Sequence, residues 1–181
     1  MILYSLQGKV NEYFIWKSIL QSRALCYNRR IGGCKAERDS AEMEITTMEK
    51  ERYVAYVSTY TQGDSHGIKI YDVDMKHGRF IEKDKVEITN SSYVTISHNG
   101  KYLYSITDFG VEAYNILKDG DLELINFAPI NGMRGCYVST DYTDRYLFVA
   151  GYHDGKLTVL RLKEDGAIGE ITDEIFHKGL G

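Results

Sequence analysis

Short apolar runs separated by turn residues fill most of the chain. YVAYVSTY (53–60) is aromatic, apolar and β-branched, whereas GIKIYDVD (67–74) alternates isoleucine with polar residues. SYVTIS (92–97) and KYLYSIT (101–107) flank an Asn-Gly pair. Asn-Gly between two such runs is a strong hairpin signal, because both residues tolerate positive φ. This pattern predicts short β-strands joined by tight turns.

The strand pattern repeats along the chain. Tyr93 and Tyr102 recur 44 positions later as Tyr137 and Tyr146, and the Asp-Gly turn at 119–120 recurs 46 positions later. Four short strands in each unit of about 40–50 residues indicate a β-propeller blade. An ordinary β-sandwich with coincidental turns is the competing interpretation.

The repeat predicts an all-β propeller part over 48–181. Its three four-stranded antiparallel blade units lie at about 52–88, 91–130 and 135–176, and the first has no innermost strand of its own. Propellers close with about four to eight blades, so three blades leave open edges. We therefore expect the chain to be the front part of a longer protein whose remaining blades are missing here.

Residues 1–47 differ from the repeat in composition, with seven Lys and Arg against five acidic residues. The stretch at about 10–27 is compatible with a basic amphipathic helix, which would suit a membrane surface or a partner helix. The alternatives are a poorly structured extension and a start codon assigned too early. We favour the last, because MEKERYVAYVSTY (48–60) resembles a natural protein beginning.

Composition excludes several classes of function. The net charge of −4 gives no basic field for nucleic acid. No apolar run approaches the roughly 18 residues of a membrane span, and the first residues do not resemble a signal peptide. Three cysteines without a CxxC pair fit a reducing compartment, and five scattered histidines predict no metal site. We expect a cytoplasmic protein with no cofactor.

Several stretches together resemble one family: YVAYVSTYTQGDSHGIKIYDVD, SSYVTISHNGKYLYSITDFGVEAY, RYLFVAGYHDGKLTVLRLKEDGAIGE and HKGLG. They are similar to the lactonase family of seven-bladed propellers, which includes propeller-type 6-phosphogluconolactonases and is related to fungal muconate-lactonizing enzymes. The resemblance covers about 52–181. Ser58 and Leu180 depart from the family pattern, where Gly and Ser are usual.

The resemblance implies hydrolysis of the small-molecule sugar lactone 6-phosphogluconolactone to 6-phosphogluconate, in the pentose phosphate pathway. The enzyme would be cytoplasmic and free of metal. The catalytic His, Arg and Glu of the family lie in later blades, beyond Gly181. No catalytic residue is therefore assigned in this chain, and we expect the chain alone to be inactive.

Candidate ligand contacts lie on the loops that enter the innermost strands of the blades. Arg134 is flanked by Gly132 and Gly135, and its guanidinium suits bidentate binding of an anion. The alternative for Arg134 is a surface salt bridge.

Three further residues are candidates for substrate binding. Ser92 and Tyr93 offer hydrogen-bond donors, although for Tyr93 we favour a structural role in the core. His177 stands where the chain would enter a fourth blade, to orient a ligand or to bond a loop carbonyl.

Fold alone leaves two other functions open. They are a non-catalytic binding platform and a muconate-type cycloisomerase.

Overall fold

The computed structural model describes residues 4–7, 13–16 and 52–179, and every statement below concerns these residues. In this part of the chain every regular element is a β-strand, and the strands form three antiparallel sheets. The expected all-β class, with its antiparallel sheets, is thereby confirmed.

The first sheet has the strand order β2-β1-β3-β4-β5. Its strands are β1 (Tyr4–Gln7), β2 (Tyr13–Trp16), β3 (Tyr53–Ser58), β4 (Gly67–Asp74) and β5 (Arg79–Glu87). β1 pairs with β3 on the edge away from β4, with Tyr4 opposite Val57. The unit at about 52–88 thus contains three strands, as expected, and β1 from the chain before the repeat occupies the innermost position.

Within the stretch at about 10–27, for which the sequence suggested a helix, the structure describes only Tyr13–Trp16. These four residues form strand β2. Tyr-Phe-Ile-Trp is a run of aromatic and β-branched residues, which fit a pleated sheet well. The rest of that stretch lies outside the described residues, and so do the other residues of 1–47 apart from β1.

The second and third sheets are simple four-stranded meanders with the orders β6-β7-β8-β9 and β10-β11-β12-β13. The second contains β6 (Val94–Ile96), β7 (Tyr102–Thr107), β8 (Gly110–Ile116) and β9 (Leu122–Pro129). The third contains β10 (Tyr137–Thr140), β11 (Tyr146–Ala150), β12 (Lys156–Leu162) and β13 (Ile168–Phe176). Both repeat the strand order predicted from the sequence.

The sheets pack face to face, with apolar side chains between them. One cluster joins the first two sheets and includes Tyr56, Ile70 and Leu103, and another joins the last two and includes Tyr104, Leu147 and Leu160. Strand β6 contacts β1 on one side and β10 on the other. The first strands of the three sheets therefore lie side by side, as the innermost strands of consecutive propeller blades do.

Five loops lie at the same end of the three sheets, and we call this end the top face. Three of them join β3 to β4, β7 to β8 and β11 to β12, and the other two join one sheet to the next: 59–66, 108–109 and 151–155, and 88–93 and 130–136. Hydrogen bonds cross between them, as when Asn90 bonds to both Thr61 and Asp108.

Candidate functional site: an arginine at the top face

Arg134 joins parts of all three sheets at the top face. It lies on the loop between β9 and β10, and its Nη1 donates to Oδ1 of Asp108, after β7, at 3.0 Å. Its guanidinium carbon lies 5.0 Å from the ring centroid of Tyr60, after β3. The side chain keeps 29% of its surface exposed. Stacking on an aromatic ring and pairing with a carboxylate hold a guanidinium in a defined place.

Asp108 is itself held by Asn90. The amide nitrogen of Asn90 donates to both carboxylate oxygens of Asp108, at 3.0 and 2.9 Å. The side-chain oxygen of Asn90, Oδ1, accepts a hydrogen bond from the backbone N–H of Thr61 at 3.0 Å. The Arg134–Asp108 pair therefore belongs to a connected network, and geometry of this kind makes an ion pair rigid.

Arg134 retains donors for a ligand. A guanidinium has five N–H donors, and within residues 52–179 as described only Asp108 accepts a hydrogen bond from Arg134. Its partial exposure leaves the remaining donors accessible from the top face. The expected salt bridge is present, and contact with a ligand stays a prediction that this geometry permits.

Ser92 and Tyr93 lie deeper than Arg134. The Ser92 hydroxyl donates to the carbonyl of Gly135 at 3.1 Å, so it supports the loop that carries Arg134. The Tyr93 ring is 4.7 Å from that of Tyr137, measured between centroids. Burial, and then the neighbouring Tyr137 hydroxyl, raise the pKa of Tyr93 to about 12. Its phenol therefore remains a proton donor at neutral pH, and ligand contact by either residue stays a prediction.

His177 follows β13 and lies beside the loop between β11 and β12. Its backbone N–H donates to the carbonyl of Gly155 at 2.8 Å, and the residue is exposed. No hydrogen bond or ion pair in the described residues joins its ring to Arg134. The structure therefore brings Arg134, Ser92 and Tyr93 to one loop region and leaves His177 at the outer side of the third sheet.

Sequence reasoning did not select the partners of Arg134. Asp108 and Asn90 each follow a strand, and Tyr60 follows β3, so their positions signalled loop residues at the top face. Their contacts with one another depend on how neighbouring sheets pack, which a local pattern does not contain.

A separate groove of about 710 Å³ lies at the opposite end of the first sheet. Four of its charged or titratable side chains pair with one another. Arg52 donates to both carboxylate oxygens of Asp72, at 2.8 and 3.0 Å, and Asp74 bonds to the His77 ring at 2.6 Å. Across the described ranges no three His, Cys, Asp or Glu side chains are grouped to hold a metal ion. We therefore place the candidate site at the top face.

The arrangement at the top face suits anion binding more than chemistry on its own. It offers the Arg134 guanidinium on an aromatic ring, backed by a carboxylate. The described residues contain no helix that is long and apolar enough to cross a membrane.

Three consecutive antiparallel sheets, the first of five strands and the other two of four, place β1, β6 and β10 side by side and define this molecule as a set of β-propeller blades. The family described as lactonase, 7-bladed β-propeller, matches residues 54–181. The chain belongs to that lactonase family, and the resemblance found in the sequence is confirmed.

Individual relatives agree with the family match. A 6-phosphogluconolactonase of Bacillus subtilis is 36% identical over 136 residues, which cover 72% of this chain and 39% of the relative. A 6-phosphogluconolactonase of Formosa agariphila is 32% identical over 118 residues, covering 61% of this chain and 33% of the relative.

The crystal structure of a putative 6-phosphogluconolactonase from Bacteroides fragilis superposes with a TM-score of 0.66 at 31% identity. The match covers 74% of this chain and 38% of that one. The chain thus spans less than two fifths of the length of each of these three proteins.

Proposed function

We propose that these blades belong to an enzyme that hydrolyses 6-phosphogluconolactone, or a similar sugar lactone, to the open acid in the cytoplasmic pentose phosphate pathway. Relatives named 6-phosphogluconolactonase support the reaction. The observation that carries the proposal for this chain is Arg134, a partly exposed guanidinium held at the top face of a lactonase-family propeller.

Arg134 would bind the phosphate of the substrate. A sugar lactone has no free carboxylate until its ring opens, so the phosphate is the anionic group of 6-phosphogluconolactone. A guanidinium forms paired, charge-assisted hydrogen bonds with phosphate oxygens. The Asp108 carboxylate and the Tyr60 ring hold the guanidinium before the ligand arrives, which reduces the entropy lost on binding.

Lactone opening is an acyl transfer to water. It needs a general base for the water and a donor for the oxyanion that forms on the carbonyl oxygen. We assign binding to the residues described here, and the base and the oxyanion donor to blades that complete the ring. The 181-residue chain by itself is accordingly expected to leave the lactone unopened.

The test is a hybrid propeller. Residues 54–181 would replace the matching blades of the Bacillus subtilis relative, and hydrolysis of 6-phosphogluconolactone would be followed by acid release. We expect turnover, and R134A should raise KM by roughly 10- to 100-fold, because a charge-assisted hydrogen bond contributes about 1.5–3 kcal/mol. K118A is the matched control, since Lys118 is an exposed cation in the turn between β8 and β9, at the other end of the sheets.

The outcomes separate the two parts of the proposal. A folded hybrid that does not open the lactone would contradict the reaction and favour a binding platform. A hybrid that turns over equally well with R134A would leave the reaction in place and remove Arg134 from phosphate binding.

A further inference from the structure

Lys156, the first residue of β12, has a buried ammonium group. Only 4% of the side chain is exposed. Its Nζ donates to the carbonyl oxygens of Ile130 at 2.7 Å and Asn131 at 3.0 Å, and it pairs with the Glu174 carboxylate. A buried ammonium is costly unless its three donors are satisfied. Here all three have acceptors, so none remains for a ligand.

Lys156 departs from the repeat. In each sheet the first residue of β4, β8 or β12 pairs with a residue at the end of the preceding strand or just after it. The first residue is Gly67 opposite Thr59 in the first sheet and Gly110 opposite Thr107 in the second. In the third sheet it is Lys156, opposite Gly151. The other two blades form without a side chain at this position, so a blade does not require a lysine there.

The contacts of Lys156 converge on the loop that carries Arg134. Ile130 and Asn131 begin this loop. Asp154 holds its middle, because one carboxylate oxygen accepts the Met133 N–H at 3.0 Å while the other accepts the N–H of Lys156 at 3.2 Å. A Cβ on Gly132 would lie 2.7 Å from the Asp154 carboxylate, so the loop lies directly against this side chain.

The far end of the loop is held independently. Ser92 donates to the Gly135 carbonyl at 3.1 Å, and the Cys136 N–H donates to the Ala150 carbonyl at 2.8 Å. A Cβ on Gly135 would lie 2.6 Å from a methyl carbon of Val149. The backbone is therefore fixed on both sides of Arg134, whose side chain extends to Asp108 and Tyr60.

We propose that Lys156 is a positioning residue for anion binding: with Asp154 it fixes the loop from Ile130 to Cys136, so that Arg134 is already in place when a phosphate group arrives. This inference rests on the proposed function, in which Arg134 binds the phosphate. Lys156 does not touch the ligand and acts only through the loop.

The test uses the complete chain and 6-phosphogluconate as the probe, with affinity measured by titration calorimetry. We expect K156M to weaken binding by about tenfold, because the arginine must then be ordered during binding. In an R134A background the same substitution should cause no further loss. A lysine with a purely structural role would lower the melting temperature without this dependence on Arg134.

A second measurement keeps the two proposals separable. Hydrogen exchange of the Met133 amide reports on the loop without any ligand, and K156M should accelerate it while leaving amides of β7 unchanged. If K156M changes neither this exchange nor the affinity, the positioning role is wrong, whatever Arg134 binds. If exchange accelerates and R134A does not alter binding, the loop contact stands and the proposed role of Arg134 is wrong.

Further variants cover the case in which K156M does not fold. D154A removes the anchor at Met133 and should reproduce both effects. E174Q keeps the two bonds from Lys156 to the loop carbonyls, and it should retain most of the affinity. Equal loss of affinity in E174Q and K156M would overturn the inference, because charge rather than loop position would then explain the effect.

Discussion

The hydroxyl of Tyr104, on β7, donates a hydrogen bond to the carbonyl of Gly166 in the next sheet, at 3.1 Å. The same contact occurs one blade earlier, where Tyr56 on β3 donates to Gly120 at 2.7 Å. Burial raises the pKa of both tyrosines, so both hydroxyls stay protonated donors. Each of the first two sheets is thus joined to the next by the same kind of hydrogen bond, from a tyrosine hydroxyl to a glycine carbonyl in a turn of the next sheet.

Removing this bond should weaken the contact between blades. Y104F leaves the Gly166 carbonyl without its partner, and we expect the free energy of unfolding to fall by about 1–2 kcal/mol. Urea denaturation measures it. Y142F is the control, since Tyr142 is 91% exposed. Equal stability of Y104F and the parent chain would show that the bond contributes nothing.

The turn at Gly166 should also resist any side chain. Its φ of +81° is unfavourable for other residues, and an added Cβ would overlap the Tyr102 ring. We expect G166A to destabilise the chain by at least about 2 kcal/mol. G78A separates the two causes, because Gly78 has a φ of +62° with nothing near its Cβ. It should cost about 1 kcal/mol, and equal losses in both variants would rule out the overlap.

Asp141 should make stability depend on pH in acid. Burial opposes its charge, but hydrogen bonds from the Thr143 hydroxyl and from the backbone N–H groups of Tyr146, Arg145 and Thr143 outweigh that effect and lower its pKa to about 2. A lowered pKa stabilises the folded chain above the unfolded value of about 3.9, and this contribution is lost as pH falls towards 2.

D141N should therefore be less stable than the parent at pH 7, by about 1–2 kcal/mol after allowance for its partial exposure. The difference should shrink between pH 4 and pH 2. Urea midpoints across this range measure it, with D64N, at an exposed loop carboxyl, as the control. A difference that stays constant with pH would contradict the assignment of the shift to Asp141.

Several features of the fold follow from local sequence signals. Asn-Gly and Asp-Gly turns, with the tyrosines spaced 44 residues apart, were enough to predict strand order in the second and third sheets. The pairing of β1 with β3 was not predictable in this way. Tyr4–Gln7 is only four residues long, and nothing in so short a strand specifies a partner far along the chain.

The candidate site likewise contains some features that the sequence predicted and others that it did not. Two flanking glycines singled out Arg134, whereas its partners Asp108 and Tyr60 come from other sheets. Lys156 begins a strand, where a lysine is normally solvated. Its burial results from the carbonyls of a neighbouring loop, which only the packed sheets bring near.

The third sheet should mediate association of the isolated chain. Phe148 and Val159 lie opposite each other on β11 and β12, on the face away from the second sheet, and both remain partly exposed. Tyr137 is 42% exposed, whereas its counterpart Tyr93 is 7% exposed against the third sheet. An apolar sheet face of this kind favours self-association.

We expect concentration-dependent association in sedimentation velocity, and V159K should suppress it. Q62K, at an exposed position of the loop between β3 and β4, adds the same charge elsewhere and should leave it unchanged. A parent chain that stays monomeric at all concentrations would contradict self-association through this face of the third sheet.

The most direct test of phosphate recognition by Arg134 is discrimination between two lactones by the hybrid propeller. We expect R134A to lower kcat/KM for 6-phosphogluconolactone by roughly 10- to 100-fold and to leave kcat/KM for unphosphorylated gluconolactone unchanged. An equal loss for both lactones, or no loss for either, would contradict recognition of the phosphate by Arg134.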